Sequence, residues 1–157
     1  MTPQFLDPFK GEQVGFAEGR TVWSTLMPLR YVWSRGRVLL VPAEFVTDLA
    51  SVPRLPLTYL LAGGRGTRSA VIHDFAYQFG FWFLEGGARL LTDKATADCV
   101  FRESLLADPI SGAGGGMAWM MYQAVRVGGR GHWSAESTRT QALNPEWHAA
   151  GWRQVQA

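Results

Sequence analysis

The chain has 157 residues, the length of a single domain, and its 47% hydrophobic and 18% charged residues suit a buried core and exclude global disorder. Its net charge of +2 is spread along the sequence and argues against a nucleic-acid partner, although thirteen of the fifteen basic residues are arginines suited to carboxylate or phosphate recognition. One cysteine excludes an internal disulfide framework and cysteine-rich zinc or iron–sulfur sites.

Residues 1–18 mix Pro3, Pro8, Gly11 and Gly15 with scattered aromatics and read as an irregular arm across the body. The arm has neither the basic start nor the apolar run of a secretion signal. No later stretch approaches the roughly 20 apolar residues of a spanning helix. Residues 20–47 are strand-like: TVWSTLM, LRYVWS and RVLLVP are rich in β-branched and aromatic residues, with a turn at Ser34-Arg35-Gly36. From Asp48 the pattern changes. Pro53 and Pro56 interrupt TDLASVPRLP, which predicts a structured loop with one or two helical turns. Helices are expected over 67–80, over 92–107 with Thr92 as N-cap and Asp93 in the first turn, and over 117–128. The 83–91 stretch reads as their connection, GAGGG at 112–116 as a hinge, and about 130–157 as an irregular tail. The predicted class is α+β: a small N-terminal antiparallel β-sheet packed with a mainly helical C-terminal half, in one domain.

The segment AVIHDFAY at 70–77 carries the most chemistry. On a helix, His73 and Tyr77 share a face while Asp74 points about 100° away. Asp98 on the next helix is placed to face the His73 imidazole, orient it and favour its charged form. The active reading makes His73 a base that takes a proton from water, Asp98 its orienting partner, Tyr77 a hydrogen-bond support and Ser51 a further catalytic neighbour. Asp74 and Asp48 would offer hard oxygen ligands to a divalent cation such as calcium or zinc. The competing reading is a His–carboxylate pair that only braces two helices. Asp48 and Ser51 equally suit a turn lock at a sheet-to-helix transition, with Arg54 close by. His132 and His148 lack metal-ligand spacing to His73, and Cys99 reads as a small packed core residue.

VPAEFVTDLASVPRL at 41–55, AVIHDFAYQFG at 70–80, ADCVF at 97–101 and MMYQAVRVGG at 120–129 together resemble domain-of-unknown-function family 1353 of tailed bacteriophages and prophages. The resemblance implies a phage-associated protein, in the host cytoplasm or on the virion, and carries Asp48, Ser51, Pro53, His73, Asp74, Tyr77 and Asp98 as matching landmarks. It implies no reaction. His73-Asp74-Phe75-Ala76-Tyr77 is also similar to the His-Asp-x-x-Tyr helix of small calcium-dependent phospholipases, whose disulfides this chain lacks. That likeness implies water activation by His73 with Asp98, and calcium at Asp74. Two functions follow from the sequence. One is a hydrolase acting on a bacterial envelope component, lipid or peptidoglycan. The other is a structural or assembly protein contacting other phage proteins, with the cluster as internal bracing.

Overall fold

The computed structural model describes residues 1–17, 20–48, 66–110, 113–129 and 133. Eight strands and three helices occur in these stretches. The strands are β1 (Gln4–Phe5), β2 (Gly11–Ala17), β3 (Arg20–Thr25), β4 (Leu29–Trp33), β5 (Arg37–Val41), β6 (Val46–Thr47), β7 (Phe81–Leu84) and β8 (Arg89–Leu91). The helices are α1 (Thr67–Phe79), α2 (Lys94–Ala107) and α3 (Gly115–Gly128). The α+β class holds, with a β-rich first half and three helices after it.

The strands form two antiparallel sheets rather than one. Five are ordered β1-β4-β5-β7-β8, and three are ordered β2-β3-β6. Two expectations need correcting. The stretch read as an irregular arm supplies β1, which pairs Phe5 with Tyr31, and β2, which pairs with β3 over its whole length. The stretch read as a bare connection at 83–91 lies in the β7–β8 hairpin, which extends the larger sheet through Leu39↔Leu84 and Leu40↔Phe83. The arm is fixed by charge as well as by pairing. Arg30 donates from Nε and Nη2 to the two Asp7 carboxylate oxygens, each at 2.9 Å.

Helix α1 is the centre of the molecule. Every residue from Arg68 to Gln78 is buried. Three of its buried polar side chains are paired with neighbouring elements: Arg68 with Asp108, His73 with Asp98 and Asp74 with Thr47. Val71, Ile72, Phe75 and Ala76 join Tyr31, Leu39, Val41 and Phe45 of the β-rich half in one core. Trp82 on β7 donates its indole N–H to the Ile72 carbonyl at 2.9 Å. A second core of Phe101, Leu105, Ala118, Met121 and Val125 joins α2 to α3. Arg68 at the start of α1 forms a buried ion pair with Asp108 at the end of α2.

Helix boundaries differ from expectation in physically informative ways. Asp93, not Thr92, is the N-cap of α2, and its Oδ1 accepts the Thr96 N–H at 2.7 Å. Replacing Asp93 by alanine strips that acceptor and is expected to cost about 1 kcal/mol, measurable by urea denaturation. Helix α3 begins at Gly115, so two of the expected hinge glycines lie in its first turn. Cys99 is exposed, not packed. The loop expected around Pro53 and Pro56, His132, His148 and the tail beyond Trp133 lie outside the described residues.

Candidate functional site: a buried histidine–aspartate cluster

His73 projects from α1 toward α2, its ring stacked between Tyr77 at 4.1 Å and Phe101 at 4.8 Å. Its Nε2 lies 3.0 Å from Asp98 Oδ1, so the expected pair forms. Tyr77 donates its hydroxyl to the same oxygen at 2.6 Å. Lys94, one turn before Asp98, donates its ammonium to Oδ2 at 2.8 Å, and Arg126 Nη1 stands 3.6 Å from that oxygen. Lys94 also donates to the Val125 carbonyl at 3.0 Å, in the last turn of α3. Lysine at a helix C-terminus satisfies carbonyls that the helix leaves open. One carboxylate therefore ties all three helices together.

His73 and Asp98 have no exposed side-chain surface. Burial pushes the His73 pKa down; Asp98 opposes that shift and Lys94 reinforces it, leaving the group below its ordinary value. Burial pushes the Asp98 carboxyl up, but hydrogen bonds from His73, Lys94 and Tyr77 outweigh it and hold the carboxyl below the usual range. The pair is thus a neutral imidazole on an ionised carboxylate. An ionised carboxylate only accepts, so the imidazole proton sits on Nε2 and Nδ1 carries a lone pair. Nδ1 is buried and has no hydrogen-bond partner among the described residues.

The DUF1353 family, proteins of unknown function, matches residues 23–125, about two-thirds of the chain. The chain belongs to this family. No curated protein and no solved structure matches it. The DUF1353 match runs from β3 into α3 and contains His73, Tyr77, Lys94 and Asp98; Arg126, Gly129 and Trp133 lie just beyond it.

Those last residues roof the cluster. Trp133 packs edge-on against Tyr77 at 5.0 Å. Gly129, the C-cap of α3, comes so close that a Cβ there would stand 2.5 Å from the Tyr77 hydroxyl and 2.7 Å from the Val125 carbonyl oxygen. Gly129→Ala is therefore expected to push α3 off Tyr77 and cost about 1–3 kcal/mol, seen as a lower denaturation midpoint at unchanged m-value.

Asp74 belongs to a different side of α1. Its Oδ2 accepts the Thr47 hydroxyl at 2.7 Å, which ties α1 to β6 rather than to α2. Asp48 follows Thr47 directly, and Ser51 lies outside the described residues. No group of three or more His, Cys, Asp or Glu that could hold a metal occurs among the described residues. Lys94 and Arg126 are the cluster members that sequence reasoning missed. The spacing of Lys94 to Asp98, four residues on one helix face, was the available signal for the first.

Proposed function

We propose that this DUF1353 protein is a phage-associated structural or assembly protein whose His73–Asp98 cluster braces the fold. One observation carries the reading. Asp98 has no exposed surface and spends both oxygens on His73, Tyr77 and Lys94. An aspartate that orients a working base needs that base within reach of water or substrate, whereas a brace needs only what is seen here. Exposed Phe16 on β2 and Trp119 and Val127 on α3 add apolar surface of the kind that assembly covers. No helix among the described residues is long and apolar enough to cross a membrane.

A second reading keeps the hydrolase. It is favoured by the lone pair on His73 Nδ1, opposite a ring nitrogen already held by Asp98, which is how an oriented base is built. In that reading Nδ1 takes a proton from water, Asp98 fixes the ring, Tyr77 supports Asp98, and Ser51 is a further catalytic neighbour. The substrate is then a bacterial envelope component, lipid or peptidoglycan, as the phage association suggests.

Two measurements separate the readings. Under the brace, the protein fractionates with purified phage particles or their assembly intermediates, and the wild type hydrolyses neither envelope lipid nor peptidoglycan, with or without calcium or zinc. Turnover that disappears in a folded His73→Phe variant would replace the brace with the hydrolase.

A further inference from the structure

Helices α2 and α3 run antiparallel. Lys94 at the start of α2 donates to a carbonyl in the last turn of α3, and Leu105 near the end of α2 accepts from Ala113 just before α3 begins. Beside their buried seam lies an outward face that the cluster does not use. Cys99 Sγ stands 4.0 Å from the Tyr122 hydroxyl, and the Arg102 guanidinium lies 5.9 Å from the centre of the Tyr122 ring. Arg102 follows Cys99 along α2 by the same rise as Trp119 precedes Tyr122 along α3. Antiparallel register therefore sets Arg102 and Trp119 level across the seam. One turn further along α2, Leu106 continues the stripe, and one turn beyond Tyr122, Arg126 ends it.

The face is apolar and cationic at once. Trp119 is 55% exposed and Leu106 50%, so both leave large apolar areas in solvent. Arg102 is exposed, and no carboxylate among the described residues pairs with it. The Arg126 side chain is 38% exposed, and its inward contact is Asp98 at 3.6 Å. The acids nearby are engaged elsewhere. Helix α3 contains none, and Asp98 is buried. Glu103 on α2 accepts from the Tyr31 hydroxyl and from Ser34, and Asp93 accepts from the Thr96 N–H. The outward charge of this face is therefore positive.

Tryptophan, tyrosine and arginine in one patch are the composition of interface hot spots. A guanidinium only donates, and a carboxylate meets it with two parallel hydrogen bonds. An aliphatic side chain seated on Trp119 and Leu106 would shield those bonds from water. Other occupants fit the face less well. A second copy meeting it across a two-fold axis sets arginines against arginines. Nucleic acid would find two cations, where strong binding uses about 6–10 phosphate contacts. An anionic bilayer would also find two, where lipid-binding clusters carry about 4–8. We propose that this face docks an acidic amphipathic segment of another protein, its carboxylates on Arg102 and Arg126 and an aliphatic side chain between Trp119 and Leu106. The proposal rests on the assembly reading for the source of that segment, and not on the role of His73.

The test is titration of the full chain with a short helical peptide carrying leucines on one face and glutamates beside them. It is followed by the Trp119 indole N–H resonance, which Trp119→Phe identifies. A saturable shift is expected. Exchanging the peptide's glutamates for glutamines, or Arg102→Ala in the protein, should each weaken binding about tenfold or more, as loss of a charged hydrogen bond does. Arg102 is exposed and outside the cluster, so its variants should keep the wild-type urea midpoint. No saturable shift with the glutamate peptide would overturn the proposal. So would equal binding of the glutamine peptide, or tighter binding of phosphatidylglycerol vesicles or of a second copy of the chain. Fractionation with phage particles separates this face from the assembly reading. Loss of Arg102→Glu from the particle fraction supports both. Equal fractionation of Arg102→Glu and wild type would overturn the face and leave the assembly reading standing. A wild type absent from particles would overturn the assembly reading, and the titration would then decide the face by itself.

Discussion

Asp98→Ala is expected to cost about 3–5 kcal/mol of folding stability, read from the urea midpoint at constant m-value, because it leaves buried partners uncompensated. The loss is not that of one hydrogen bond. It removes the acceptor of His73 Nε2, the Tyr77 hydroxyl and the Lys94 ammonium in one step. The ammonium is the worst stranded, since only the α3 carbonyls of Val125 and Arg126 remain to it. Lys94→Met in the Asp98→Ala background should therefore recover part of the loss, and the double-mutant cycle should show coupling well above 0.5 kcal/mol. A cost below about 1 kcal/mol for Asp98→Ala would mean that water replaces the carboxylate, and the brace would fail with it.

The cluster was legible because its information is local. His73 and Tyr77 are one helical turn apart, and an apolar helix that carries a histidine must satisfy it somewhere. Asp98 was legible as the acid on the next predicted helix. What escaped was set by tertiary contact. Strand β1 is two residues long and exists because Phe5 and Gln4 find β4; no propensity reports a strand so short. Strand β2 has Gly11 and Gly15 within it and a register irregularity between Gln13 and Gly15, so its alternation is blurred. The β7–β8 hairpin did leave a signal. FWFL is strand-like, and Gly86 and Gly87, both at positive φ, close the turn to Arg89. Its place between two helices hid it. Asp74 went to Thr47 instead of the cluster for a reason the sequence does contain: adjacent helix residues point about 100° apart.

The same buried pair makes the fold sensitive to acid, and the direction of that sensitivity reports the charge on His73. In the unfolded chain a histidine titrates near 6.5, and in the fold His73 lies below that. Between the two values the unfolded chain binds a proton that the folded one refuses, so protonation favours unfolding. The His73 contribution is thus complete above pH 6.5 and is lost as pH falls toward the folded value, at a slope of up to about 1.4 kcal/mol per pH unit. Asp98 acts with the same sign further down. Its folded pKa is lowered from 3.8, so its contribution is present above pH 3.8 and is lost as pH falls through the folded value. Asp7, held down by its bonds to Arg30, adds to that second window. Stability of the wild type measured from pH 8 to pH 3 should therefore fall in two stages. His73→Phe puts an aromatic ring between Tyr77 and Phe101 and removes the titration, so the difference between the two profiles isolates this residue from the other histidines. That difference should appear below pH 6.5 and grow as pH falls. If His73 were instead a charged partner of Asp98, its folded pKa would lie above 6.5. The wild type would then gain stability relative to the variant on acidification through that range, the opposite sign.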